Sequence, residues 1–285
     1  MKILVTGSNG QLGSELRVLA PGITGMEFLF TDYNELDITD EAQINAFFAA
    51  EKPAWVINCA AYTAVDKAES EPEAAMRLNA DAPAILAKAA KKSGAGMVHI
   101  STDYVFGGEG YRPYRETDTA SPKGIYAVSK RRGEELVLQE NPDAVIVRTA
   151  WLYSVYGHNF VKTIINKGRE KGELKVVADQ IGSPTWAADL ATAIITLIKA
   201  GVKSEIIHFT NEGACSWFDF AKTIVEISGI NCKILPTDTA GYPLPAPRPY
   251  YSVLDKSKFS TLTGLNIPWW RESLKKCIAL LNEQG

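Results

Sequence analysis

Near the start of this chain a short apolar run, Ile3-Leu4-Val5-Thr6, breaks into Gly7-Ser8-Asn9-Gly10-Gln11-Leu12-Gly13. It continues into Ser14-Glu15-Leu16-Arg17-Val18-Leu19, which has helical composition. A buried strand, a glycine turn and a helix in that order point to an α/β unit. Glycine lets the backbone turn tightly and approach a ligand without a Cβ clash. The unpaired N–H groups at the start of the next helix then face an anion such as a pyrophosphate. The spacing is G-x-x-G-x-x-G rather than G-x-G-x-x-G, so a turn with no ligand also fits. Its place directly after the first strand favours a dinucleotide site lined by Gly7, Ser8, Asn9, Gly10, Gln11 and Leu12.

The alternation then repeats. Residues 27–32 read as a second strand ending in Asp32, which lies 19 residues past Gly13. A carboxylate there can accept from adenosine ribose hydroxyls. Asp37 and Ile38 follow; Asp37 is either a ligand group or a turn carboxylate. Thr39 or Asp40 caps a helix over 41–51. Residues 55–61 form a continuous apolar run, as in a parallel strand buried on both faces. Its small end, with Ala60 and Ala61, lets a ring or ribose lie against the backbone, and Tyr62, Thr63 and Val65 open the next loop. A helical stretch over 72–93 stops at Gly94, and 97–102 is the next strand, in which His99 reads as a packed core histidine. Residues 144–148 form another buried strand leading to Trp151. Four strand–helix alternations by residue 120 predict a parallel sheet with helices on both faces.

Ser101-Thr102-Asp103 ends a strand, and ligands in such sheets gather beyond the carboxyl ends. Tyr126-Ala127-Val128-Ser129-Lys130 opens a helix, and tyrosine and lysine four apart share one face. An ammonium beside a phenol favours phenolate. That lowers the tyrosine pKa from about 10 and makes it a usable general acid. On spacing alone, an aromatic at the core edge with a solvated lysine is the commoner outcome.

From about residue 155 glycines, prolines and aromatics become frequent. Helices are expected at 159–171, 186–200, 216–228 and 269–282, with an ordered Pro-rich loop over 237–251. The run 206–209 should rejoin the main sheet. Residues 1–154 are therefore read as a dinucleotide-binding domain and 155–285 as a smaller substrate lobe over the sheet's carboxyl edge, with segments returning to it. The 285 residues, 46% hydrophobic and 22% charged, can bury a full core without staples. A net charge of −3 with interspersed signs argues against nucleic acid or an anionic membrane as partner. No apolar run approaches membrane-spanning length, and the chain passes from Met1-Lys2 straight into a strand without a signal peptide. Cys59, Cys215, Cys232 and Cys277 form no paired metal motif. The expected compartment is a reducing cytoplasm.

Together the glycine turn, Asn58-Cys59-Ala60-Ala61, Ser101-Thr102-Asp103 and Tyr126-x-x-x-Lys130 resemble the extended short-chain dehydrogenase/reductase superfamily, with its Rossmann-type doubly wound sheet. Residues 61–69 (Ala61 to Glu69) and 101–106 (Ser101 to Phe106) look like the dTDP-4-dehydrorhamnose reductase family. So does Asp179-Gln180-x-Gly182-x-Pro184-Thr185, reinforced by Arg248-Pro249, Ser252 and Leu254. The resemblance covers essentially the whole chain. It implies reduction of the C4 ketone of dTDP-4-dehydro-L-rhamnose to dTDP-L-rhamnose with NADH or NADPH. It implies Tyr126 as proton donor, Lys130 on the nicotinamide ribose, and Thr102 on the carbonyl oxygen. It extends the cofactor site from the glycine turn to Asp32, Asp37, Ile38, Ala60, Ala61, Tyr62, Tyr126 and Lys130. It assigns the sugar nucleotide to Thr63, Val65, Thr102, Asp103, Tyr126, Trp151 and Arg248. Trp151 has a core role as its alternative, and Arg248 a structural ion pair.

Some members of that family hold magnesium between two subunits on glutamates. Glu15 matches one position, but the second is Ala188 here, so no metal is expected and the assembly, a homodimer included, stays open. Other classes on this scaffold are an epimerase or dehydratase and a non-catalytic binding subunit. Thr102-Asp103-Tyr104 lacks the Asp-Glu pair of dehydratases, and retention of Thr102, Tyr126 and Lys130 argues against the binding subunit. Residues 31–40 contain no Lys or Arg, so Asp32 should favour NADH, with Arg17 and Lys67 as the cations able to admit NADPH.

Overall fold

The computed structural model describes residues 1–284. Among them, six strands form the central sheet: β1 Lys2–Thr6, β2 Glu27–Phe30, β3 Trp55–Asn58, β4 Gly96–Thr102, β5 Val145–Thr149 and β6 Glu205–His208. All pairs are parallel, in the order β6-β5-β4-β3-β1-β2. β1 has β2 on one side and β3 on the other, with Val5 opposite both Phe30 and Ile57. The chain thus reverses its direction of travel across the sheet at β1. A crevice opens at such a point beyond the carboxyl ends of the strands.

Alternate residues of a strand point to opposite faces. Ile3, Val5, Ile57, Val98 and Val147 therefore pack with Leu16 of helix Gln11–Leu19 and Leu190 and Ile194 of helix Ala187–Lys199. Leu4, Val56, Met97 and Ile146 pack on the other face with Ile44, Phe48 and Leu86 of helices Glu41–Glu51 and Ala82–Ser93. Each fully buried Leu or Ile contributes about 1.5–3 kcal/mol by leaving water, which makes both faces of each central strand apolar. A third cluster joins Tyr153, Val161, Trp186, Phe220, Ile224, Trp270 and Leu274 in the C-terminal half. That half is not separate in sequence from the sheet, since it supplies β6 and the helix Ala187–Lys199.

Three details set up the site. The second and third strands end at Phe30 and Asn58, short of the expected ends, although the Thr31 N–H still donates to the Val5 carbonyl and the Cys59 N–H to the Thr6 carbonyl. Asp40, not Thr39, caps Glu41–Glu51, accepting from the Ala42 and Gln43 N–H groups. The expected helix over 72–93 is interrupted by a π-helical turn, Arg77–Asp81. Pro83 has no N–H for the Asn79 carbonyl, and that carbonyl instead lies against Gly133 of helix Ile125–Glu140. No side chain larger than hydrogen fits at Gly133, so this helix seats closely on the turn. The Pro-rich loop is ordered by backbone bonds: Tyr251 N–H donates to Gly108, Ile181 to Tyr250, and Ser252 to Ile181. No helix among the described residues is long and apolar enough to cross a membrane.

Candidate active site

A cleft of about 1230 Å³ lies at the carboxyl ends of β1, β3, β4 and β5. Gly7 has φ +64°, and a Cβ there would stand 2.6 Å from the Ala60 backbone nitrogen. A Cβ on Gly13 would stand 2.5 Å from Ser8 Cα. These two glycines bring the turn against β3 and against itself. Gly10 is the helix N-cap and makes no side-chain cap bond, which leaves the first helical N–H groups available to an anion. Gln11 Oε1 and Thr149 Oγ1, on residues of the cleft wall, are buried without hydrogen-bond partners. A glycine cradle with unpartnered polar atoms beside it fits a dinucleotide.

Gly7, Gly10, Gln11, Leu12, Asp32, Asp37, Ile38, Ala60, Ala61 and Tyr62 line the cleft, as do Thr63, Val65, Thr102, Asp103, Tyr126, Lys130 and Trp151. Three expected residues do not. Ser8 is buried, with its hydroxyl accepting from Arg17 at 2.9 Å and its N–H donating to the Thr31 carbonyl. The Asn9 N–H donates to Asp32 Oδ2 at 2.9 Å. Both residues tie the turn to the end of β2. Arg248 forms an ion pair with Asp66 at 2.8 Å and also donates to the Ala246 carbonyl. Asp37 accepts from the N–H and hydroxyl of Thr39, so it is a turn carboxylate that also edges the cleft.

At the centre stand Thr102, Asp103, Tyr126 and Lys130. The expectation that Lys130 depresses the Tyr126 pKa is corrected. Burial pushes the phenol up to about 12, Asp103 adds to this, and a hydrogen bond with Thr102 opposes it. Lys130 is itself 2% exposed and donates to the Ile100 carbonyl at 2.7 Å. Burial draws its ammonium down to about 8, with Glu134 partly restoring it. Desolvation of both groups outweighs their sequence proximity. The result is a neutral phenol holding its proton, with Tyr104 packed edge-on at 5.6 Å.

His99 is buried beneath this centre, its Nδ1 3.0 Å from Asn58 Nδ2, and burial holds it well below the usual histidine range. Asn58 in turn accepts from Thr6 and from the Ala60 N–H, which fixes the end of β3. The histidine is a core residue, as read. Asn79 of the π-turn accepts from the Tyr62 N–H and donates to the Tyr62 carbonyl and to Ser129 Oγ, joining the loop after β3 to the Tyr126 helix.

Trp151 has φ +47°, a backbone conformation uncommon for a large side chain. Its ring stacks on Trp217 at 3.6 Å and 12°, and a Cβ on Gly182 would meet it at 2.5 Å. Trp217, Arg77 and His158 also line the cleft and were not picked out in the sequence. Trp217 begins a helix capped by Ser216, but nothing in its spacing says that the ring faces β5.

The magnesium position does not fit. Glu15 is 6% exposed and accepts from Ser154 Oγ at 2.6 Å, tying the first helix to the C-terminal half. Burial raises its pKa, and Ala188 offers no ligand.

Fold and cleft are of the Rossmann, dinucleotide-binding type, and the similar proteins make the chain an NAD(P)H-dependent oxidoreductase. The family model described as RmlD substrate binding domain matches residues 1–283, and the chain belongs to that family. A dTDP-4-dehydrorhamnose reductase structure from Clostridium acetobutylicum matches with TM-score 0.95 and 47% identity, covering 99% of this chain and 100% of that one. The dTDP-4-dehydrorhamnose reductase of Bacillus anthracis, solved in complex with NADP, matches with TM-score 0.94 and 40% identity over 98% and 99%. A probable dTDP-4,6-dihydroxy-2-methyloxan-3-one 4-ketoreductase of Streptomyces antibioticus is 40% identical over 97% of this chain and 94% of its own length.

Proposed function

We propose that this chain reduces the C4 ketone of dTDP-4-dehydro-L-rhamnose to dTDP-L-rhamnose. The observation that carries the reading is the meeting of Thr102, Tyr126 and Lys130 in one cleft with the glycine turn, in a chain of this family. The bound nicotinamide cofactor supplies a hydride to C4. A ketone that accepts hydride becomes an alkoxide and needs a donor already in place. Tyr126, a neutral phenol, gives its proton to that oxygen, and Thr102 hydrogen-bonds it. Lys130 holds the nicotinamide ribose. The turn from Gly7 to Leu12, with Asp32, Asp37, Ile38, Ala60, Ala61 and Tyr62, holds the rest of the cofactor.

Thr63, Val65, Asp103 and Trp151 face the sugar nucleotide, and the half from residue 155 onward acts as its lobe. Arg248 reaches its diphosphate if the Asp66 pair opens. Both cofactors are used and NADH is preferred, because Asp32 accepts a ribose hydroxyl and repels a 2′-phosphate. Arg17 lies over the Phe30 ring and Lys67 pairs with Glu71. Arg77, on the cleft wall beside Thr39, is the cation that admits NADPH. The enzyme works without metal, in a reducing cytoplasm, as a monomer or a metal-free homodimer.

A second reading, reduction of a related 4-keto-6-deoxy sugar nucleotide, draws on the named activity of the Streptomyces antibioticus relative. The test is Tyr126→Phe, which should lower turnover roughly 10²-fold or more while cofactor still binds. Near-parental turnover would remove Tyr126 from the acid role.

A further inference from the structure

The helix that carries Tyr126 and Lys130 does not cap itself. It starts after Gly124, which has φ +82°, with no side-chain cap and no acidic residue in its first turn. That φ favours glycine, and a Cβ at Gly124 would stand 2.8 Å from Glu69 Oε1 and 2.9 Å from Pro247 Cδ. The first N–H groups of a helix have no intrahelical partner. Here the partner comes from a distant segment: the Ile125 N–H donates to Glu69 Oε1 at 2.8 Å, 56 residues away in sequence. A carboxylate also suits the positive end of a helix.

Glu69 is the C-cap of the short helix Val65–Ala68. That helix continues the loop whose Thr63 and Val65 line the cleft. Glu71 ties the segment together, accepting from Tyr62 Oη at 2.7 Å and pairing with Lys67 at 2.8 Å. Past its first turn the Tyr126 helix is anchored by other contacts. Asn79 donates to Ser129 Oγ, Lys130 donates to the Ile100 carbonyl, and Gly133 seats against the Asn79 carbonyl. Tyr126 lies before those anchors and directly after Ile125. Loss of the Glu69 bond therefore loosens the turn that carries the phenol and leaves Lys130 in place.

We propose that Glu69 is a positioning residue for Tyr126, linking the first turn of its helix to the loop that faces the sugar. The proposal rests on the reductase reading above. Sugar bound against Thr63 and Val65 fixes the loop, the loop fixes Glu69, and Glu69 fixes Ile125 with the phenol beside it. Glu69 does not itself line the cleft, so it acts through Tyr126. Misplacing a reacting group by about 1 Å costs up to about 10²-fold in rate.

The experiment is kcat for NAD(P)H-driven reduction in the parent, Glu69→Ala and Glu69→Gln, and in Tyr126→Phe with and without Glu69→Ala, with cofactor affinity measured by fluorescence. Glu69→Ala lowers kcat at least roughly 10-fold and retains cofactor affinity. Glu69→Gln keeps kcat near the parent's, because its amide oxygen still accepts from the Ile125 N–H. Added to Tyr126→Phe, Glu69→Ala costs nothing further, since a residue that acts through another shows no effect of its own once that other is gone. Glu69→Asp, one methylene short of Ile125, is read in place of Glu69→Ala if that variant fails to fold. Parental kcat in Glu69→Ala, a loss in Glu69→Gln equal to that in Glu69→Ala, or an undiminished further loss in the Tyr126→Phe background overturns the positioning role. A parent that oxidises no NAD(P)H with any keto sugar nucleotide overturns the reductase reading instead.

Discussion

Lys130 donates its ammonium to the Ile100 carbonyl at 2.7 Å, anchoring the helix Ile125–Glu140 to β4. This fixes where the ammonium stands before any ligand arrives. Burial brings its pKa to about 8 from an ordinary 10.5, so the charge is lost as pH rises through about 8. Affinity for NAD(P)H should therefore fall across that range, and a titration of cofactor fluorescence checks it. Lys130→Met should bind cofactor weakly at all pH values and show no such step.

The same group makes a stability statement. The unfolded chain keeps this proton up to about pH 10.5, while the fold releases it near 8. Between those values the unfolded state binds more protons, so this residue's contribution to stability rises with pH there. Urea unfolding at pH values across that interval should show a steeper rise in the parent than in Lys130→Met. Equal slopes would show that Lys130 does not titrate in the fold.

The parallel sheet was legible because strands such as 55–58 and 145–149 are buried on both faces and leave continuous apolar runs. The return of the chain at 205–208 could be read from its short apolar run, Ile206-Ile207-His208-Phe209. The strand ends at Phe30 and Asn58 could not, since the course of the chain past Asn58 is set by the approach of Gly7 to Ala60, a contact between distant segments. The grouping of Thr102, Tyr126 and Lys130 was legible from motif and spacing. Their electrostatics were not: four-residue spacing implies mutual charge stabilisation, whereas burial of both side chains reverses the direction at Tyr126. The stack of Trp217 on Trp151 depends on how a late helix packs against β5, which local sequence does not encode.

Asp32 sits at the end of β2 with Oδ1 and Oδ2 accepting from the Tyr33 and Asn9 N–H groups. Asp32→Ala should shift the ratio of kcat/KM values towards NADPH by about tenfold, equivalent to about 1.4 kcal/mol. Arg77→Ala should shift it towards NADH. A parent that clearly favours NADPH, or an Asp32 variant with an unchanged ratio, contradicts the assignment.

Because Glu15 is held by Ser154 and position 188 is alanine, exposure to a chelator should leave both activity and sedimentation behaviour unchanged. Loss of either, restored by magnesium, would show that other residues build a metal site.

The most direct test of the central claim is the stoichiometry of NAD(P)H oxidation with purified dTDP-4-dehydro-L-rhamnose, followed by absorbance and by analysis of the sugar product. The predicted result is equimolar consumption of NAD(P)H and formation of dTDP-L-rhamnose. Conversion of the sugar without net cofactor consumption, or no conversion of any dTDP-4-keto sugar, would contradict it.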